Sequence, residues 1–365
     1  MPDKNPFEID FDSYIRQGEP DKKEKSIAWA IATGLQQVDR LTPSKYLYET
    51  AKRNIEGEIT VDEAKKLIDS YYESKSFRSE EDEETEEADK VAARIVQVLK
   101  DKTFDFSPDS YIHIHKKIFD GVFKFAGKVR DYNITKKEWV LDGDTVFYSD
   151  WELIRKTLEY DFEQEKKFDY NGLSQEEKVK HFTRFIANIW QIHPFGEGNT
   201  RTTAVFAIKY LKRLGYDADN LIFEKNSWYF RNALVRANYS NSAKGIYMDT
   251  RYLEALFRNI MLNENNDLKN RYTHIRYAEM ISNFSEGGQK NKGGQKRWSE
   301  TTQRIFNHIK ANPTISRQQL CDELTINPSA VQKHIEKLKA KGFIKRVGGA
   351  KGGHWEIVKT DKEEC

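Results

Sequence analysis

His193-Pro194-Phe195-Gly196-Glu197-Gly198-Asn199-Thr200-Arg201 gathers an imidazole, a carboxylate, two glycines, an amide and a guanidinium into one short stretch. Both flanks predict helix. Upstream, Ser174 with Glu177 three residues on is a capping box. Phe182, Phe185, Ile186, Ile189 and Trp190 then follow the i, i+3, i+4, i+7, i+8 spacing of a buried helical stripe. Downstream, Ala204, Val205, Ile208, Leu211 and Leu214 repeat that spacing. Gly215 supplies a C-terminal stop, with Lys212 and Arg213 in the last turn. The stretch therefore reads as a tight loop between two packed helices, with Thr200 or Asn199 capping the second.

Such a loop suits phosphate chemistry. A helix N-terminus offers unpaired N–H groups and the positive end of the helix dipole. Gly196 and Gly198 allow a ligand close to the backbone. Arg201 can take phosphate oxygens in a fork. Glu197 is a carboxylate in an anion site, which makes sense if it holds Mg²⁺ between phosphates. His193, just before the loop, suits a general base near pH 7. The P-loop pattern is missing from the loop.

These residues resemble the Fic family motif H-x-F-x-[D/E]-G-N-G-R-x-x-R. His193, Phe195, Glu197, Gly198, Asn199 and Arg201 match, while Thr200 replaces a glycine and Ala204 replaces the second arginine. The resemblance implies a mainly α fold: a helical core with a β-hairpin flap. It also implies transfer of AMP from ATP, with Mg²⁺, to a Ser, Thr or Tyr hydroxyl of a protein target, another protein or the chain itself. His193 would be the base and Glu197 the metal ligand. Gly196, Gly198, Asn199, Thr200 and Arg201 would bind the nucleotide. Without an arginine at 204, the γ-phosphate grip weakens. Another nucleotide donor, or the reverse reaction that removes AMP, stays open.

The rest of the chain is read outward from the loop. Its 365 residues leave room for two or three domains. Charged residues make up 32% and mean hydropathy is −0.80, yet aromatics are 13%, which argues for a folded chain with a highly charged surface. A net charge of +2 makes no case for a polyanion partner. Cys321 and Cys365 cannot build a disulfide framework or a cysteine zinc site. No 18-residue apolar run exists and Met1-Pro2-Asp3-Lys4 does not open a signal peptide, so the expectation is a cytoplasmic protein without a membrane partner.

Residues 1–78 read as short helices: one over Ser26 to Val38, one from Pro43-Ser44 through Ile55, and one from the Thr60/Glu63 capping box through Tyr72. The layout resembles the small antitoxin domain that represses Fic enzymes, in which a helix points a Glu at the second arginine of the active loop. Two registers are open. Either Glu56 occupies the inhibitory position, or Gln36 or Gln37 does. The second is favoured, because a neutral Gln suits a loop whose arginine partner is missing and a buried Glu56 would be uncompensated. On either register the family's Glu–Arg lock cannot form. Residues 79–87 carry seven acidic side chains and read as a solvated linker into a helix around Val91, Ile95 and Val98.

Residues 79–283 are the expected Fic core. Ser107 to Lys124 is predicted helical, with His115 on its apolar face as a core histidine. Phe125-Ala126-Gly127-Lys128-Val129-Arg130 through Lys136 resembles the family's lead into the flap. Asn133 to Phe147 reads as a hairpin around Asp142-Gly143-Asp144. The resemblance implies that the target pairs there as an added strand, along Asn133, Ile134, Thr135 and Lys136. The predicted helix Glu224 to Asn238 and the residues just beyond it border the nucleotide base in the Fic family, so the resemblance implies Tyr229, Asn232 and Tyr239 as candidates to meet the adenine.

Residues 284–297 read as a flexible basic linker. Residues 298–358 resemble a winged helix-turn-helix: three helices, with Asn327 and Pro328 opening the third, then two strands joined by a glycine-rich tip. Ten Lys or Arg face five Asp or Glu between Trp298 and Val358. Gln332, Lys333, Lys337 and Lys351 stand where a winged helix meets DNA. DNA or a protein could dock there, and a homodimer is compatible with the sequence. The rival to the enzyme is a DNA-binding regulator that uses the core to sense nucleotide.

Overall fold

The computed structural model describes residues 11–17, 19–74, 80–219, 221–277, 300–324, 326–348 and 353–358. The predicted linker 284–297 and Lys351 lie outside them. The chain divides into two compact units: Met1–Lys136 with Thr145–Thr273, and Lys137–Asp144 with His274–Cys365. The N-terminal helices, expected as a region of their own, thus share a unit with the core.

The first unit is helical. Helix α1 is Phe11–Gln17 and α2 is Pro20–Gly34, which runs straight into a 3-10 segment, Leu35–Asp39. Helix α3 is Lys45–Ile55, capped by Ser44, and α4 is Val61–Glu73, opened by the Thr60/Glu63 capping box as the sequence predicts. Helix α5 is Glu80–Lys100, so the acidic run is the start of a long helix and not a linker. Helix α6 is Pro108–Phe119, α7 Ile154–Lys167, α8 Gln175–Ile192, α9 Asn199–Arg213, α10 Ile222–Ala237, α11 Arg251–Met261 and α12 Asn270–Thr273.

Aromatic side chains bind α6, α7, α8 and α9 into one core: Phe106, Tyr111, Phe162, Phe185, Phe206 and Tyr210 meet ring to ring. Aromatic pairs at these separations add about 1 kcal/mol each beyond area burial. Helix α9 is buried from Asn199 to Leu211, its polar first turns included, as befits a central helix. Helices α2 and α5 pack on one another, and α5 in turn reaches α9. The end of α2 meets α10 at Gly34, where any Cβ would strike the backbone of Glu224 and where Ser227 Oγ donates to the Gly34 carbonyl at 2.8 Å. That close approach brings the 3-10 segment to the start of α9.

The expected hairpin over Asn133 to Phe147 carries no strand. Its limbs are extended, and Lys136 N–H donates to Thr145 Oγ1 at 3.3 Å. A 3-10 turn, Trp139–Leu141, forms the tip, where Glu138 N–H donates to Asp144 O at 2.9 Å.

In the second unit, helices Glu300–Ala311, Arg317–Leu324 and Pro328–Ala340 precede strands β1, Ile344–Val347, and β2, His354–Ile357. The strands pair antiparallel, with Ile344 opposite Ile357 and Arg346 opposite Trp355. Ile305, Phe306, Ile309, Leu320, Leu324, Val331, Ile335 and Leu338 form this domain's own core. Trp355 Nε1 donates to Ile315 O at 3.1 Å and pins the wing to the turn between the first two helices.

Candidate active site

His193 ends α8 in the left-handed region, with φ 51°. A residue with a Cβ stores strain there, which makes the position worth explaining. Its Nδ1 faces the Trp190 carbonyl at 3.3 Å. A carbonyl only accepts, so Nδ1 carries the proton and Nε2 keeps its lone pair. Nε2 is buried and meets no donor or acceptor. Tyr148 lies 4.1 Å from the imidazole, ring to ring, and Trp190 stands edge-on at 5.3 Å. Burial first, then the charges of Lys136, Arg130 and Arg231, hold the His193 pKa well below the ordinary value. The ring is a neutral base at pH 7.

The loop is braced from inside. Asn199 does not cap α9, nor does Thr200; Gly198 is the N-cap, with φ 79°. A Cβ on Gly198 would collide with the Phe119 ring, so glycine is required twice over. Asn199 Oδ1 accepts from Phe195 N at 3.0 Å and its Nδ2 donates to Phe195 O at 2.7 Å. The Thr200 hydroxyl turns inward and accepts from Trp190 Nε1 at 3.0 Å. Both residues, expected to bind nucleotide, have side chains that hold the loop's shape. Gly196 and Gly198 both let neighbours pack tightly on the loop: a Cβ on Gly196 would strike the Tyr132 hydroxyl, as one on Gly198 would strike Phe119.

His115, expected as a core histidine, is one, and it also positions the loop. Gly127 N–H donates to its Nδ1 at 2.9 Å, so Nε2 carries the proton and donates to the Glu197 carbonyl at 3.1 Å. Its ring stacks on Phe195 at 3.7 Å. Burial, against the Glu197 bond, takes its pKa down to about 4. The unfolded chain therefore binds this proton first, and the native state gives up stability as pH falls from about 6.5 to about 4. The expected loss is about 3 kcal/mol in urea unfolding across that window, and His115→Gln should flatten it. An equally steep His115→Gln profile would refute the assignment.

Arg130, which the sequence offered only as part of the flap lead-in, is buried and gathers the site. Its backbone N–H donates to Pro194 O at 2.8 Å and its Nε to His193 O at 2.8 Å. Its other nitrogens donate to the carbonyls of Tyr132 and Ser149. One planar fork thus ties both limbs of the flap to the residue that holds the base. No periodicity or spacing argument could announce this role, because its partners are backbone carbonyls distant in sequence.

Arg201 is fully buried, and its guanidinium is held by the N-terminal region. Nη1 donates to Gln36 Oε1 at 3.0 Å and Nη2 to Glu87 Oε1 at 2.6 Å. Nε lies 2.7 Å from Asp39 Oδ2, a close ion pair and not a straight hydrogen bond. Phe119 closes the remaining side at 4.8 Å. Of the residues offered by the two registers, Gln36 is the one that reaches the loop, at Arg201 and not at Ala204. Gln37 is exposed. Glu56 is also exposed, bonded to Tyr14 Oη at 2.7 Å and Lys22 at 3.0 Å, because α3 faces α2 and α4 there and not the loop. The sequence argument missed Glu87, hidden within an acidic run, and Asp39. A carboxylate–arginine cluster does form, on Arg201 and through different residues.

Glu197 is half-exposed, and its carboxylate is bridged by Lys136 Nζ at 2.9 and 3.0 Å. Lys136 was expected to serve the target; its side chain turns to the loop instead. Asn133 lies on the outer side, with Nδ2 donating to Asp150 and Oδ1 accepting from Trp151 N. Ile134 and Thr135 sit on the extended limb beside it. Among the described residues no cluster of three or more His, Cys, Asp or Glu could cage a metal. A single carboxylate fits Mg²⁺ all the same, since Mg²⁺ is commonly held by one or two carboxylates plus substrate phosphates and waters.

The expected base-binding residues are core. Tyr229 and Tyr239 are 2% exposed and Asn232 is 0% exposed. Tyr229 Oη donates to Tyr252 O and Asn232 Nδ2 to Asn270 Oδ1. The resemblance to the Fic family had singled out all three, whereas an aromatic run at helical spacing is more often core, as it is here. On α10, Trp228 and Arg231 are partly exposed, and the Trp228 ring has the guanidinium of Arg40 at 5.6 Å and that of Arg231 at 5.2 Å.

In the C-terminal domain, Lys333 and Lys337 are exposed on the third helix. Gln332 is tied into its own domain: its Oε1 accepts from Arg317 at 2.8 Å and its Nε2 donates to Glu336 at 2.7 Å.

Residues 105–211 match the Fic/DOC family, and residues 299–345 match the winged helix-turn-helix DNA-binding family. The chain thus contains one segment similar to Fic/DOC domains and, C-terminal to it, one similar to winged helix-turn-helix domains. It is 28% identical over 146 residues to a probable protein adenylyltransferase, y4lH, of Sinorhizobium fredii, covering 40% of this chain and 71% of that one. It is 27% identical over 137 residues to the protein adenylyltransferase VbhT of Bartonella schoenbuchensis, covering 38% of this chain and 27% of VbhT. The N-terminal FIC domain of Bep8 from Bartonella sp. 1-1C aligns at TM-score 0.41 and 21% identity, over 51% of this chain and 88% of that one. No helix among the described residues is long and apolar enough to cross a membrane.

Proposed function

We propose that this chain is a Mg²⁺-dependent protein adenylyltransferase held inactive by its own N-terminal region. The observation that carries the reading is His193: a buried, neutral imidazole whose Nε2 lone pair meets no partner, one loop away from the N-terminus of α9. The target hydroxyl gives its proton to Nε2 as its oxygen attacks the α-phosphorus of ATP. The bond from that phosphorus to the β-bridging oxygen breaks, and pyrophosphate leaves. Loop amides and the α9 dipole stabilise the charge on the α-phosphate. Arg201, once released, takes the β-phosphate. Mg²⁺ on Glu197 would neutralise phosphate charge. Trp228 and Arg231 are the residues of α10 best placed to meet the rest of the nucleotide.

The target docks along the flap. Tyr132, Phe147, Trp151 and Leu153 are exposed at 51%, 79%, 40% and 52%, and they flank the extended limbs. These limbs offer backbone for an added strand and apolar side chains beside it. In the resting state Arg201 is unavailable, because Glu87 and Asp39 already neutralise it and would repel a phosphate.

The full chain with Mg²⁺ and ATP labelled at the α-phosphate is expected to label protein, itself or a target, whereas ATP labelled at the γ-phosphate is not. Labelling from the γ-position would make the chain a kinase. No label from either donor, with Glu87→Gln as well, would sink the adenylyl reading. The second domain supports a further role in binding duplex DNA through Lys333 and Lys337. Retention of a duplex that weakens steeply with salt is its test.

A further inference from the structure

The carboxylate assigned to the metal already has a cation. Lys136 Nζ is nearly equidistant from the two oxygens of Glu197, at 2.9 and 3.0 Å, so the ammonium straddles the carboxylate. Both partners are held from behind. The Glu197 carbonyl accepts from His115, and Lys136 N–H is tied to Thr145 at the base of the flap. The pair is only partly buried, with side-chain exposures of 26% and 44%, so it is a contact that a competing cation can reach.

We propose that Lys136 is the resident counter-ion of Glu197 and competes with the divalent cation for it. The inference rests on the adenylyltransferase reading and adds a residue that sets the metal requirement. Without metal, the ammonium neutralises the one carboxylate in a phosphate-binding loop, so bare nucleotide can approach. With metal, Mg²⁺ displaces the ammonium. Two effects of opposite sign follow from removing it.

The test is equilibrium nucleotide binding by the full chain, titrated with Mg²⁺ and repeated in EDTA, for wild type and Lys136→Met. The variant is expected to need about fivefold less Mg²⁺ at the midpoint and to bind ATP about fivefold more weakly in EDTA, the order expected for one partly exposed ion pair. Lys136→Arg, which keeps a cation, should stay near wild type and serves as the folding control. Weaker binding by the same factor with and without Mg²⁺, at an unchanged midpoint, would make Lys136 a plain phosphate contact and overturn the proposal. If protein is adenylylated but the midpoint does not move, this inference falls alone. If the midpoint moves and no adenylyl transfer occurs, the enzymatic reading falls and this one stands. Absence of nucleotide binding in wild type and in Glu87→Gln would end both.

Discussion

His193→Ala is expected to lower adenylyl transfer by about 10²- to 10⁴-fold, the range for removal of a positioned general base. Nucleotide binding should survive, because the imidazole is bonded to Trp190 and packed against the tilted ring of Tyr148, with the phosphate contacts assigned elsewhere. The pH profile is a second signature. Burial and three nearby cations hold the His193 pKa well below 6.5, so the base stays unprotonated as pH falls through the range where a free histidine titrates. The acidic limb of the transfer rate should therefore lie below pH 6.5. A limb at or above pH 6.5, or a variant that loses nucleotide along with activity, would remove His193 from the role of base. Label-transfer rates and equilibrium binding on the same preparations decide it.

Glu87→Gln combined with Asp39→Asn is expected to raise transfer at limiting ATP by about 10- to 100-fold, an inhibitory coupling of roughly 1–3 kcal/mol. Arg201 is completely buried and spends its guanidinium on Gln36, Asp39 and Glu87. Its release to the β-phosphate requires those pairs to break. Replacing the two carboxylates by amides keeps their shape, removes the competing charge and leaves Arg201 less well paired in the apo protein. The double variant should thus melt at a lower temperature while working faster. A drop in both stability and activity would mean that the cluster is scaffolding, and the autoinhibitory reading would be withdrawn. The gain should appear in KM for ATP more than in kcat, because the pairs are replaced on nucleotide binding.

On the proposed reading, the cluster around Arg201 would restrain a loop that lacks its second arginine. Ala204 lies fully buried within α9. The contacts lie one turn back, on Arg201, and come from the 3-10 segment after α2 and the first turns of α5. The proposed relief of the brake and the proposed exchange of Lys136 for metal would be separate events at the same loop, one at the arginine and one at the carboxylate. They can be dissected with single substitutions.

Much of this was determined by the sequence alone. The capping boxes at Ser174 and Thr60, the end of α9 at Gly215, the caps of the C-terminal helices and the loop between α8 and α9 are local, and local rules of spacing and hydrogen bonding decide them. Tertiary structure decided what those rules cannot see. The resemblance offered Tyr229, Asn232 and Tyr239 to a nucleotide, but only the packing of α10 and the residues after it shows that all three lie in the core. An acidic run is solvated by default, and only the packing of α5 near α9 turns Glu87 into the partner of Arg201, 114 positions away in the chain. Arg130 acts on carbonyls of Ile192 and His193, and His115 acts on the carbonyl of Glu197; backbone partners leave no trace in side-chain pattern. The chemistry of the loop was legible because it is contiguous. The contacts on its arginine come from two segments distant in the chain, and contact between distant segments is what folding alone creates.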